Sequence, residues 1–247
     1  MANAIETKKL TKVFGDRKAL DKVSIEVPEG AFLSIFGPNG AGKTTLVRTL
    51  ATLSRATSGT ALVAGFDAKE EPDKVREHIG LISHNPMLYP DLTAMENLMF
   101  TAQLYGVVNA EERVRELLRA VELDHRRFDV VRTFSRGMTQ RLSIARALVK
   151  KAPIYIFDDT FSALDFKTDA ALRKALAKDT AQATVLLVAQ RVSTILDADL
   201  ILVLDEGRLV GRGRHEELLE TCEIYRAIVR SQTQQKDSQG GGTHEEE

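Results

Sequence analysis

The chain has 247 residues, a formal net charge of −1, and 43% hydrophobic against 28% charged residues. That length buries a sizeable core and fits one large domain or a domain with a subdomain. The balanced charge excludes a global field favouring nucleic acid or an anionic membrane surface. The single cysteine, Cys222, excludes an internal disulfide and suits a reducing cytosol. The opening MANAIETKKL lacks the apolar core of a signal peptide, and no stretch approaches the roughly 20 apolar residues of a membrane span. If the protein moves something across a membrane, another chain is expected to supply the path.

Residues 31–36 (AFLSIF) read as a buried strand running into a glycine loop, and Leu46, Leu50 and Leu53 follow at helical spacing. From about residue 86 to 134 the periodicity is helical, with no convincing strand. Thr93 and Glu96 have the spacing of a capping box, in which hydroxyl and carboxylate satisfy exposed amides at a helix start. Met95, Leu98, Met99 and Ala102 then make one apolar face, and residues 113–121 give a second helix. This region is expected to be a helical subdomain inserted between two strands of a sheet. Residues 154–157 (IYIF) and 184–188 (TVLLV) are two more buried strands. Residues 200–204 (LILVL), then Asp-Glu-Gly, then 208–210 read as a hairpin. Strands separated by helices imply a parallel sheet with crossovers. From Ser231 the text turns polar and glycine-rich, without aromatics, which predicts a disordered tail over 231–247 behind one domain of residues 1–230. There are no internal repeats.

Residues 37–44 (GPNGAGKT) match G-x-x-x-x-G-K-[ST] in full. The glycines let backbone amides turn inward around a phosphate, and the following helix directs its positive end to the same place. On this reading Gly37, Pro38, Asn39, Gly40, Ala41, Gly42, Lys43, Thr44 and Thr45 cradle a nucleotide triphosphate. Lys43 reaches the β- and γ-phosphates, and the Thr44 hydroxyl ligates Mg²⁺. At average residue frequencies the pattern arises by chance in roughly one chain in a hundred of this length; here it also follows a strand and opens a helix. Asp158 ends the apolar strand that begins at Ile154, where a carboxylate can hold the same Mg²⁺ from the other side. A strand ending in Asp is weak by itself and gains weight from the phosphate loop upstream.

Residues 133–148 (TFSRGMTQRLSIARAL), lying between loop and acidic strand end, resemble the signature of ABC transporter ATPases, usually LSGGQ, and the helix behind it. The resemblance extends from about residue 5 to 232. It implies an α/β P-loop NTPase of ABC type: a mixed sheet core with an antiparallel β part and an inserted helical subdomain. It implies Mg²⁺-dependent ATP binding and hydrolysis, and partners in a second ABC ATPase domain and membrane-spanning transporter subunits, with no nucleic acid. Phe14 stands where the family stacks an aromatic ring on adenine. Residues 162–165 (SALD) look like the D-loop. In this family two domains pack head to tail, so Ser135 and Gly137 would serve the partner's nucleotide.

Three positions depart from the pattern. The family's catalytic glutamate is Asp159 here, one methylene shorter; its γ-phosphate histidine is Gln190; and its Mg²⁺-shell glutamine is His84, with Asn85 adjacent as the alternative. A general base must come within about 3 Å of its proton, and a misplacement of ~1 Å can cost ~100-fold in rate. Gln190 donates a hydrogen bond but carries no positive charge. Good nucleotide binding and slow hydrolysis are therefore expected. The alternative is a degenerate, nucleotide-gated regulatory module, or a chimeric scaffold, with negligible hydrolysis. The two halves also resemble different branches. Residues up to about 148 look like stand-alone ATPase subunits of haem-exporter and related systems. Residues from about 151 look like the degenerate half of heterodimeric multidrug-type exporters. A chimera joined between about residues 140 and 153 would explain the mixture, as would natural divergence. Either way the protein is expected in the cytoplasm, or on the cytoplasmic face of a membrane when bound to transmembrane subunits. A DNA-repair ATPase of this family would carry a long coiled coil in the insert, and no sustained heptads appear.

Overall fold

The structure, a computed structural model, describes residues 2–83, 85–158, 180–189 and 191–240. Strands β1 (Asn3–Phe14) and β2 (Arg17–Pro28) form a long hairpin. A third strand, β3 (Phe32–Phe36), follows, and β4 (Ser58–Val63) and β5 (Phe66–Asp67) extend the hairpin into an antiparallel sheet of order β2-β1-β4-β5. A second sheet joins β3 to β6 (Ile79–Ile82), β7 (Ile154–Asp158), β8 (Thr184–Val188), β9 (Leu200–Asp205) and β10 (Arg208–Gly213). Its order is β10-β9-β3-β8-β7-β6, parallel throughout except for the β9–β10 hairpin.

Successive side chains on a strand point to opposite faces, and the second sheet uses both. Leu33, Ile35, Ile154, Ile156, Leu186, Val188, Leu202 and Leu204 pack toward the antiparallel sheet. Helices α1 (Lys43–Leu50) and α2 (Pro72–His78) join that side through Leu46, Leu50 and Val75. Phe36, Tyr155, Phe157, Leu187, Ile201 and Val203 pack the other way. There they meet α3 (Ala94–Leu104), α4 (Ala110–Ala120), α5 (Arg136–Leu148), α6 (His215–Thr221) and α7 (Glu223–Gly240). A sheet buried on both faces explains why its strands read as unbroken apolar runs. Each fully buried Leu or Ile contributes about 1.5–3 kcal/mol, so the end of β3, where the glycine loop begins, is anchored far more firmly than one polar contact could manage. Both core layers draw residues from before 140 and after 153, so any junction there lies inside one packed unit.

The capping box at the start of α3 is present in both directions. The Thr93 amide donates to Glu96 Oε2 at 2.7 Å, and the Glu96 amide donates to Thr93 Oγ1 at 3.1 Å. The Thr93 amide is the main reason that the Glu96 carboxyl sits below the ordinary carboxylate range. Leu98 and Ala102 are fully buried on the expected face, with Met95 and Met99 half-buried beside them. The second insert helix begins at Ala110, ahead of the periodic signal, because its first turn holds Glu111 and Glu112 and no fully buried residue. One expectation fails: Leu53 lies past the end of α1 and is exposed. Helix α7 runs through Gly240, into the polar segment that begins at Ser231, since a helix already nucleated on a packed stretch propagates more easily than one that must start alone; residues 241–247 lie outside the described residues.

Candidate functional site

The phosphate loop leaves β3 at Gly37 and enters α1 at Lys43. Gly37 has φ +143°, and a Cβ there would lie 2.0 Å from the Leu204 carbonyl oxygen. Gly42, which caps α1, has φ +99°, and its Cβ would lie 2.4 Å from the Ala19 carbonyl oxygen. Both conformations and both close approaches require glycine. The α1 start has no side-chain cap, and a helix start of this kind directs its positive end at an anion. Lys43 is nearly buried, and its Nζ donates to the carbonyls of Gly37 and Pro38, each at 2.8 Å. The ammonium is thereby held at the loop that it is expected to serve. The β9–β10 hairpin turn, Glu206–Gly207 with positive φ at both residues, buttresses the loop: the Gly207 amide donates to Ala41 O at 3.0 Å.

The Thr44 hydroxyl donates to Asp158 Oδ1 at 3.3 Å, from α1 to the end of β7. Asp158 is 3% exposed, and the strand pairing of β7 with β8 holds it there. Among the described residues, no group of three or more His, Cys, Asp or Glu could hold a metal ion. Two hard oxygen donors alone suit a Mg²⁺ ion that completes its shell with water and substrate phosphates, and not a metal caged by protein.

A cleft of about 430 Å³ runs from Phe14 to the loop, lined by Arg17, Asn39, Gly40, Ala41, Lys43, Thr44 and Thr45 among others. Phe14 is 55% exposed, which excludes a core role, and Lys12 Nζ lies 4.7 Å from its ring centroid. Arg17 belongs to no motif of the sequence, yet it lines the cleft. It pairs across the β1–β2 turn with Phe14 and donates from Nη2 to Gly40 O at 3.4 Å. Reading VFGDRK as a two-residue hairpin turn would have put Arg17 in the same cleft.

Ser135 caps α5, its Oγ accepting from the Met138 amide at 3.3 Å, and it is exposed. Gly137 has no left-handed φ, and a Cβ there would meet nothing within 4 Å. These two residues do not line the cleft of their own chain's phosphate loop. His84, Asp159, residues 162–165 and Gln190 lie outside the described residues. Asn85, the alternative to His84, turns its Oδ1 to accept from the Met87 amide at 3.2 Å.

A parallel sheet carrying a strand–glycine loop–helix at a central strand, with an acidic strand end facing the helix's first threonine, defines a P-loop NTPase fold. Comparison with known proteins agrees. The ABC transporter family matches residues 20–162. An ATP-dependent lipid A-core flippase of Francisella tularensis subsp. tularensis is 35% identical over 238 residues, covering 92% of this chain and 39% of the flippase. The chain thus spans about 39% of the length of the curated relatives it matches first. A dimeric ATP-binding cassette in a post-hydrolysis state, bound to ADP and Pi, superposes with a TM-score of 0.78 at 27% identity, over 85% of this chain and 98% of its own. A bacterial Atm1-family ABC exporter with ATP bound gives 0.82 at 27% identity, over 99% of this chain and 43% of its own. The chain belongs to the ABC transporter family, as an ATP-binding domain of the ABC ATPase type. Among the described residues, no helix is long and apolar enough to cross a membrane.

Proposed function

We propose that this domain binds Mg-ATP in the cleft between Phe14 and the phosphate loop and closes on it with a second ATPase domain, head to tail. The observation that carries the reading is the pairing of the Thr44 hydroxyl with buried Asp158 at the start of α1, beside Lys43. Lys43 and the loop amides hold the β- and γ-phosphates; Thr44 and Asp158 hold Mg²⁺, assisted by His84; adenine stacks on Phe14. The metal, when bound, supplies charge neutralisation on the phosphates. Asp159 polarises the attacking water, and Gln190 donates to the γ-phosphate. Both are weaker in these roles than the family's glutamate and histidine, so turnover is slow. Ser135 and Gly137 complete the partner's site.

Closing and reopening would drive membrane subunits, placing the domain at the cytoplasmic face of a membrane. In support, the insert exposes Tyr89, Phe100, Leu104, Tyr105 and Val108, and the Tyr89 and Phe100 rings pack edge to face at 5.3 Å. The related flippase and exporter are the proteins whose names carry transport. Phosphate release at saturating ATP, with and without Mg²⁺, tests the catalytic part. Slow, strictly Mg²⁺-dependent release is expected. No release above background would leave the second reading, a nucleotide-gated regulatory module, which the Asp159 and Gln190 substitutions favour.

A further inference from the structure

The loop after β8 is expected to bring Gln190 to the γ-phosphate, and its approach is fixed on one side by the sheet. Val188 pairs with Ile35 beside the phosphate loop's own strand, and the buried Ala189 donates its amide to Ile35 O at 3.2 Å. Beyond Gln190 the chain enters a 3₁₀ turn at Val192–Thr194. Inside that turn the Thr194 amide reaches Arg191 O and the Ile195 amide reaches Val192 O. The first amides of such a turn have no partner within it. The Val192 amide finds one from far away: it donates to Gln232 Oε1 at 2.9 Å.

Gln232 comes from α7, in the segment whose composition gives no reason to order. Its position follows from the packed part of the helix. Tyr225 is fully buried, with its ring 5.4 Å from that of Phe36, the residue before Gly37. His215 Nδ1 lies 2.7 Å from the Tyr225 hydroxyl. Ile228 and Val229 pack on the same core, and Gln232 follows them at i+4 and i+3, on the same face. Ile195, just past the 3₁₀ turn, is buried in that core as well. One helix therefore touches the residue before the phosphate loop and, a turn or two later, the chain just after Gln190.

We infer that Gln232 is a positioning residue for the nucleotide site: it holds the Val192 amide, two residues after Gln190 in sequence, and acts on the γ-phosphate contact through that hold. The inference rests on the proposed contact of Gln190 with the γ-phosphate. It makes the start of the polar C-terminal segment part of the nucleotide-sensing machinery. Because Gln190 would touch only the third phosphate, loss of the hold weakens ATP against ADP and leaves ADP alone.

The test compares affinities for ADP and for a non-hydrolysable ATP analogue, both with Mg²⁺, by titration calorimetry on the full chain. Gln232→Leu keeps the packing and removes the acceptor. Losing one hydrogen bond of ordinary strength should reduce the ATP-over-ADP preference about three- to tenfold, with ADP affinity unchanged. Gln232→Glu retains an acceptor and should keep the preference; in a Gln190→Ala background, Gln232→Leu should change nothing further. An unchanged preference in Gln232→Leu overturns the inference. So does an equal loss in Gln232→Glu, or an equal loss without Gln190. If Gln232→Leu lowers stability, the glutamate variant and the Gln190→Ala background still decide. A parent chain that binds both nucleotides alike overturns the Gln190 contact first, which separates the two failures.

Discussion

The phosphate loop and the start of α5 both present helix amides to solvent, yet they are built in opposite ways. Around the loop, the chain itself demands each special residue. Gly37 and Gly42 adopt left-handed backbone against the carbonyls of Leu204 and Ala19, and Lys43 is held by two loop carbonyls. At the start of α5, Ser135 satisfies one amide, and Gly137 stands in ordinary backbone with open space where a side chain would go. Glycine within a helix costs about 0.5–1 kcal/mol against alanine, and among the described residues no close contact at Gly137 requires it. On the proposed reading the loop is one half of a nucleotide site, and the α5 start is the half that serves a partner's phosphate.

The largest expected effect falls on the loop side. Lys43→Ala should weaken Mg-ATP binding by roughly 10- to 100-fold, the strength of a charged hydrogen bond or two, with the fold intact by circular dichroism. Equal affinity by titration calorimetry would remove the phosphate-loop role. Next in size is the chemistry. Asp159→Glu with Gln190→His should raise turnover, by up to about 100-fold if base reach is limiting, measured as phosphate release at saturating Mg-ATP. The two must be changed together, since catalytic residues that act as a unit are not additive. No increase would locate the bottleneck in closure of the dimer. The smallest effects sharpen the contrast between the two regions. Gly37→Ala should destabilise the fold by about 1–3 kcal/mol, through its backbone conformation and the Leu204 carbonyl. Gly137→Ala should leave stability unchanged or raise it by up to about 1 kcal/mol. Equal losses in the two thermal melts would erase the distinction.

The parts that the sequence made legible share one property: their residues answer to a single constraint. Residues 185–188 and 154–157 lie in a sheet covered on both faces and read as unbroken apolar runs. The Thr93–Glu96 box is purely local. The GPNGAGKT loop is legible because phosphate geometry dictates its spacing. β1 was hidden because bulges break its alternation: register shifts fall between Thr7 and Leu10 and between Leu10 and Lys12, and Lys9 takes positive φ; β2 does alternate, with Val23, Ile25 and Val27 buried between exposed residues. α2 and β6 are too short, at 7 and 4 residues, to display a period. Arg17 and Gln232 were missed for a third reason. Each acts through a partner distant in sequence, Gly40 and Val192, which no local pattern encodes.

If the α5 start serves another molecule's phosphate, ATP must bring two chains together, because a two-fold arrangement completes both half-sites with the same patch. Slow hydrolysis should keep that state long-lived, while the absence of membrane subunits, which would hold two domains at high effective concentration, should make it weak. The direct measurement is size-exclusion chromatography with light scattering over a range of protein concentrations, with and without Mg-ATP. A dimer that appears with Mg-ATP, grows with concentration and is lost in Ser135→Arg is the predicted result. A strict monomer at the highest concentration with saturating Mg-ATP, or a dimer indifferent to Ser135→Arg, would contradict it.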